Sequence, residues 1–431
     1  MIKTKQTACA IALSLLLGAC ANVGDKSLSE SAKTITGNKV AWQPLTRDDK
    51  TPAAAITASK LTDLIDVSGI EHLSDFIDEA LSHNPSLQQT LITLRQAQVA
   101  IKSAESQDNL NIDASLSGAK GEQSDTSFTG SLSVSWELDL WQKIADGVTA
   151  ANLDAASARA SYQSARDSLA ASVIRSYIEV ITQQNLLAIE RQRLQVLENQ
   201  EAIILTRYRT GLGDLDDLDT ARTSSASTRA TIAQYEYALA ASKRTLAVLL
   251  GRQEQSLPEL HSNVSYPDVL VPLTSVPDQD LARRPDLQAA YFTIKASEHN
   301  VDVAYKALLP SINLSAALTD TASSASDALF SNPLWSLLGQ ITAPLFQGGE
   351  LRAQVDTAEL NALTAWWQYK ETLLNAVQET QDAIDNERTL TARIRFTAEA
   401  IDNAQRSVQS TSGDYRQGLA DILDLLSVYN T

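Results

Sequence analysis

The 431-residue chain has only two cysteines, Cys9 and Cys20, and four scattered histidines, His72, His83, His261 and His299. No Cys/His ligand spacing of the zinc-site kind exists and no glycine-rich loop follows a strand pattern, so the sequence offers no metal site, cofactor or catalytic constellation. Acid pairs along its helical stretches read as solvated faces. Basic charge is short as well, with 35 Lys and Arg against 52 Asp and Glu and a formal net charge of −17. Such a surface repels phosphate backbones, which excludes nucleic acid as a partner and favours cations. Beyond residue 20 no run approaches the roughly 18 apolar residues of a membrane helix. Any downstream crossing of a bilayer must use strands.

The N-terminus has what the rest lacks. Lys3 and Lys5 precede an apolar stretch from Ala8 to Leu17 and then Leu17-Gly18-Ala19-Cys20, the layout of a secretory signal over residues 1–19. Leu-Gly-Ala-Cys also fits a bacterial lipobox, in which small residues admit the peptidase and the Cys20 sulfur takes a diacylglycerol; the alternative is an ordinary signal with a chance cysteine. Cys9 leaves with the signal, so no intramolecular disulfide can form. The charge falls to about −19 once Lys3 and Lys5 are lost. Ala21 follows Cys20 where the sorting signals it resembles would carry Asp for inner-membrane retention, which favours outer-membrane lipid.

From residue 72 the chain repeats itself. Pro85-Ser86-Leu87-Gln88 matches Pro285-Asp286-Leu287-Gln288 at a shift of 200, Leu140-Trp141-Gln142 matches Leu345-Phe346-Gln347 at 205, and Tyr208-Arg209-Thr210-Gly211-Leu212 matches Tyr415-Arg416-Gln417-Gly418-Leu419 at 207. So slow a drift marks an internal duplication. The expected organisation is a lipid-anchored lead-in over 20–71 and two repeats. Repeat one, 72–278, has a helix, strands within 110–140, a long helix 144–209, a helix 214–250 and a Pro-containing linker. Repeat two, 279–431, has a helix, strands within 311–346, a long helix 350–415 and a shortened last helix.

The strand signal is period-2 alternation. Leu110, Ile112, Ala114 and Leu116 alternate with Asn111, Asp113, Ser115 and Ser117, and Phe128, Leu132, Val134, Trp136, Leu138 and Leu140 with Thr129, Ser131, Ser133, Ser135, Glu137 and Asp139; the second copy repeats this with Ile312, Leu314, Ala316 and Leu318, then Leu337, Ile341, Ala343 and Leu345. A soluble sandwich also alternates. A Ser/Thr-rich face opposite an apolar face ending in Trp136, Trp141 and Phe346 suits a barrel with a watery lumen and aromatic girdles instead. Four strands cannot close a barrel, so subunits must pool them, and three subunits give an allowed even number of twelve. The Pro-free stretch from Ile144 to Arg209 would run roughly 100 Å as helix. Leu187, Leu194, Leu197 and Ile204, and Val377, Ile384, Ile394, Ile401 and Val408, recur as coiled-coil seams. Gly211 is followed by 40 residues up to Gly251, and Gly418 by 13. The difference of about 27 residues of helix leads to the expectation of a truncated or frameshifted version of a longer protein, with Ile384, Ile394 and Ile401 partly bare.

With these features in place the chain resembles the TolC-like outer-membrane efflux family, in its lipoprotein branch that works with proton-driven pumps. The residues that carry the resemblance are Asn84-Pro85-Ser86-Leu87, the run from Ser135 to Trp141, Arg284-Pro285-Asp286-Leu287, Leu309-Pro310-Ser311-Ile312, the run from Ala343 to Gly349, and Tyr415-Arg416-Gln417-Gly418. The resemblance implies a mainly α fold with a small β part: a homotrimer sharing one twelve-stranded transmembrane barrel above a periplasmic tunnel of coiled helices, docked on a periplasmic adaptor protein and an inner-membrane pump. Its function would be a passive exit duct for small molecules, without enzyme activity. The alternatives are the exit duct of a protein-secretion system and a non-conducting envelope scaffold.

Site residues follow from both lines. Pro344, Gly348 and Gly349 lie where strand must become helix. Gly211 and Gly418 are placed to end the long helices as left-handed C′ glycines. The resemblance makes those turns a closed periplasmic aperture, with Asp217 and Asp424, six residues after each glycine, matching its acidic positions; Asp214, Asp216, Asp219 and Asp421 add charge. Ala420 stands where the family often has a basic residue, which leaves Arg209 and Arg416 as the nearest replacements. Acidic residues at helix starts are also good dipole partners in their own right.

Overall fold

The structure, a computed structural model, describes residues 27–35, 70, 72–121, 124–252, 281, 283–329 and 331–430. The signal, Cys20 and most of the lead-in and of the Pro-containing linker lie outside these residues.

The first half contains α1 (Leu28–Ile35), α2 (Leu73–His83), α3 (Pro85–Glu105), β1 (Asn111–Gly121), β2 (Ser124–Glu137), α4 (Lys143–Arg209) and α5 (Leu215–Leu249). The second contains α6 (Pro285–Lys306), β3 (Ser311–Ala322), β4 (Leu334–Thr342), α7 (Glu350–Arg416) and α8 (Ile422–Asn430). Each copy thus sends a helix into a strand pair and returns through a helix of 67 residues, roughly 100 Å of rod. Pro85 and Pro285 occupy the first turns of α3 and α6, where no backbone donor is missed. Among the described residues, no helix is long and apolar enough to cross a membrane.

The four strands form one antiparallel sheet in sequence order β1-β2-β3-β4. Its register carries the alternation across every strand. Ile112 lies opposite Val134, Val134 opposite Ala316 and Ala316 opposite Leu337, while Ser115 lies opposite Ser131 and Ser133 opposite Ala317. Paired residues share a face, so one face is apolar and the other rich in Ser and Thr. The apolar face is bare: Ile112, Leu337 and Ile341 are 65%, 75% and 71% exposed. At one end the loop between β3 and β4 folds over Gly130, where the Ala328 carbonyl leaves no room for a side chain.

Strand β2 stops at Glu137, short of Leu138 and Leu140, for a visible reason. Leu138 still donates its N–H to the Ile312 carbonyl at 2.8 Å, but the Leu140 N–H turns back to the Leu138 carbonyl and Gln142 takes φ 61°, redirecting the chain into α4.

Among the described residues, three cores hold the helices. Leu73, Phe76, Tyr177, Val180, Leu246 and Leu250 join α2, α4 and α5. Ala32, Leu287, Tyr291, Ile294, Tyr369 and Ala376 join α1, α6 and α7, so the short α1 is clamped onto the second repeat, with the Ser29 N–H donating to Glu298 Oε1 at 2.9 Å. The third core joins α8 to the far ends of α4 and α5 through Leu197, Ile204, Leu218, Ala221, Ile422 and Leu425. Full burial of each Leu or Ile stabilises by about 2 kcal/mol. Along α4 and α5, Arg191–Glu236 and Arg229–Glu198 at 2.8 Å and Arg222–Glu201 at 3.7 Å bridge the helices. Exposed as they are, such pairs fix register more than they add stability.

The two coiled-coil seams differ. Leu187, Leu197 and Ile204 are buried and Ile384 is 7% exposed, whereas Ile394 and Ile401 are 69% and 53% exposed within one chain.

Candidate functional site

Two regions concentrate unusual backbone and charge: the turns that end the long helices, and the junctions where strands become helices.

At the first turn Gly211 has φ 75°; its N–H reaches the Tyr208 carbonyl at 3.0 Å while the Leu212 N–H reaches Arg207 at 2.8 Å. At the second, Gly418 also has φ 75°, bonding to Tyr415 at 3.1 Å, with Leu419 bonding to Asp414 at 2.8 Å. These are two copies of one Schellman cap, in which glycine accepts the left-handed dihedral and the last carbonyls are satisfied. Three residues later the next helix begins on a carboxylate. Asp214 accepts the Asp217 N–H at 3.0 Å, and Asp421 accepts the Asp424 N–H at 2.8 Å while Asp424 accepts the Asp421 N–H at 3.1 Å. Asp214 and Asp421 are therefore N-caps, and Asp424 closes a reciprocal capping box. Part of the acidic cluster thus serves the helix starts.

Of the rest, Asp219 lies 3.9 Å from the Arg222 guanidinium. Asp216 is exposed and Asp217 half-buried, and among the described residues neither side chain has an ion-pair partner. Arg209 and Arg416 are exposed, and no ion pair joins either to a carboxylate among the described residues of one chain. The core beneath α8, joined by Tyr415 and Leu205, brings the two turns to the same end of the molecule.

The junctions sit at the other end of the long helices. In the second repeat Pro344 lies just past β4, and Gly348 and Gly349 take φ 62° and 91° before the Ala353 N–H closes the first turn on the Gly349 carbonyl at 3.0 Å. The first repeat makes the same bend without glycine, using left-handed Gln142. It is reinforced by Lys143 to Glu137 at 2.6 Å, by the Ala145 N–H to Asp139 at 2.9 Å, and by the Trp141 indole to the Pro310 carbonyl at 2.7 Å. Between the junctions opens a cavity of about 650 Å³ lined by Glu137, Asp139, Lys143, Lys306, Pro344 and Phe346. Leu345 and Phe346, 94% and 89% exposed, form an apolar rim.

The sequence reading missed two clamps. Arg252 holds Glu79 through both carboxylate oxygens, at 2.6 and 2.7 Å, tying the end of α5 to α2, and this hydrogen bonding draws the Glu79 pKa below its ordinary range. Arg284 links Asp286 to Glu379 on α7, both at 2.8 Å. Gly251-Arg252 after a leucine run marks the end of α5 as Gly211 marks that of α4, but nothing local names Glu79, 173 positions away, as the partner.

A duplicated rod-and-sheet chain with a bare apolar sheet face and acidic turns at the opposite end has the build of a TolC-like envelope channel. Residues 76–252 and 276–430 match the family described as outer membrane efflux protein. The chain belongs to that family. It is 28% identical over 374 residues to Nodulation protein T of Rhizobium leguminosarum bv. trifolii (82% of this chain, 78% of that protein). It is 26% identical over 363 residues to the probable outer membrane lipoprotein SilC of Salmonella typhimurium (82% and 78%). The crystal structure of the outer membrane protein VceC of Vibrio cholerae superposes with a TM-score of 0.72 at 27% identity, covering 83% of this chain and 89% of that one. The protein is an outer-membrane efflux channel component, and its helical body extends into the periplasm.

Proposed function

We propose that three copies of this chain form one passive exit duct for small molecules, docked at its periplasmic end on an adaptor protein and an inner-membrane pump that supplies the energy. The observation that carries the reading is the sheet. Its strands, 9 to 14 residues long, are of bilayer-spanning length, it separates an apolar from a Ser/Thr-rich face, and its edges β1 and β4 lack partners among the described residues of one chain. An unpaired edge is untenable in lipid, so closure by other copies supports the assembly. Four is even, so β4 of one copy meets β1 of the next antiparallel and the twelve-strand ring closes without a defect. Purified trimer should give discrete conductance steps in a planar bilayer. A well-formed trimer that conducts nothing would leave a scaffold as the better reading.

The aperture is assigned to the two acidic turns. Asp217 and Asp424 supply its negative ring, Asp214 and Asp421 cap the helices that carry them, and Arg209 and Arg416 are left to meet carboxylates of neighbouring copies. Pro344, Gly348 and Gly349 act as the elbow between barrel and tunnel. Cys20 is assigned as the lipidated mature N-terminus. Replacing it with Ser removes the nucleophile and with it about 0.8 kcal/mol of membrane affinity per buried CH₂. Radiolabelled palmitate should enter the parent protein and not Cys20→Ser; equal labelling refutes the assignment, whether or not the barrel retains the variant in the membrane.

A further inference from the structure

We propose that Asp146 of α4 and His299 and Asp302 of α6 form a binding site for a divalent first-row transition ion of the Zn²⁺ type, which would staple the first repeat to the second just below the sheet. The three side chains are half-buried, and one ligand atom from each lies within 4.8 Å of the other two. His299 and Asp302 stand three residues apart and so share one face of α6, and Asp146 comes from the first turn of α4 packed against it. In a tetrahedral site with bonds of about 2.1 Å, neighbouring ligand atoms sit roughly 3.4 Å apart, so closing on an ion takes side-chain rotation and no backbone movement. One imidazole and two carboxylates are donors for a borderline cation, with a fourth position left for water.

The hydrogen bonding already has the polarity of a cation site. Asp146 Oδ1 lies 3.2 Å from His299 Nδ1, and its other oxygen accepts from the Lys306 ammonium, which also reaches the Gln142 carbonyl at 3.3 Å. Asp302 has no hydrogen-bond partner among the described residues, although it is half-buried and faces Asp146, Lys306 and His299. Glu298, one turn away, is committed to the Ser29 N–H. Two carboxylates against one ammonium leave net negative charge that a divalent ion would balance, and the Lys306 stem is long enough to swing its charge out to solvent. Lys306 is thus a built-in competitor for the ion. Asp146 lies 153 and 156 positions before His299 and Asp302, which is why sequence spacing gave no hint of a ligand set. The inference stands apart from the channel reading, and conductance is not its readout.

The test is calorimetric titration of the metal-stripped, full-length trimer with Zn²⁺, alongside the visible spectrum of Co²⁺ bound to the same protein. Wild type should take about one ion per chain, with tetrahedral-type Co²⁺ bands, and His299→Ala and Asp302→Asn should each weaken binding at least about tenfold. Lys306→Gln should tighten it, an effect of opposite sign that neither misfolding nor a purely structural ion pair can produce. No binding by wild type, binding untouched by His299→Ala and Asp302→Asn, or looser binding in a correctly trimeric Lys306→Gln protein would each overturn the proposal.

Discussion

With Asp217 and Asp424 both changed to Asn, the channel loses cation selectivity, and the loss is larger in dilute than in concentrated salt. In the proposed aperture, two carboxylates per chain would place six negative charges in one trimer. The screening length is about 30 Å at 0.01 M salt and about 3 Å at 1 M, so a ring of this kind governs ion entry in the first condition and is masked in the second. Asn is chosen because the cap geometry survives it. Asp424 accepts the Asp421 N–H at 3.1 Å, an amide oxygen can do the same, and the N-caps Asp214 and Asp421 are untouched. Reversal potentials across a salt gradient read the effect directly. An unchanged cation preference in dilute salt would reduce both residues to helix-start roles.

The largest expected effect on stability belongs to Gly251. It caps α5 with φ 75°, and a Cβ built there would stand 2.5 Å from the His83 carbonyl oxygen and 2.9 Å from its carbon. Those atoms are backbone at the joint between α2 and α3, so the clash cannot be relieved by a rotamer change. Gly211 supplies the control, with the same φ of 75° and nothing within 4 Å of its would-be Cβ. Gly211→Ala should cost only the left-handed dihedral, about 1 to 2 kcal/mol. Gly251→Ala should add displacement of the α2–α3 joint, with loss of the Arg252–Glu79 clamp and of packing around Leu250. A thermal melt of the purified protein separates the two, and equal shifts would show that the joint yields freely.

How much of this could be read from residues alone depended on whether the signal was local. Period-2 alternation in Ile112, Ala114 and Leu116 and in Leu132, Val134 and Trp136 announces strands, because side chains of one strand must choose between two faces. The proline-free run from Ile144 to Arg209 announces a rod for an equally local reason. Register across the sheet, the clamp between Arg252 and Glu79, and the meeting of Asp146 with His299 depend on distant segments and leave no periodic trace. The seams show the limit best. Leu197 and Ile204 are covered while Ile394 and Ile401 are exposed, although both series carry the same repeat. A heptad says which face is apolar and not what lies over it. Helix α1 shows the reverse: eight residues are too few to hold as a helix alone, and α1 owes its order to a fully buried Ala32 and to Glu298 of α6.

The two unpaired edges of the sheet carry a consequence for genetics. In the proposed ring β1 of each copy meets β4 of another, so the contact is head-to-tail and every subunit is a link that its neighbours cannot bypass. A chain whose β4 cannot pair, for instance through a proline in its middle, would enter rings by its sound edge and leave them open. In a cell making equal amounts of sound and defective chains, only about one ring in eight would consist of sound copies alone. Such an allele would be dominant, silencing most of the normal protein made beside it.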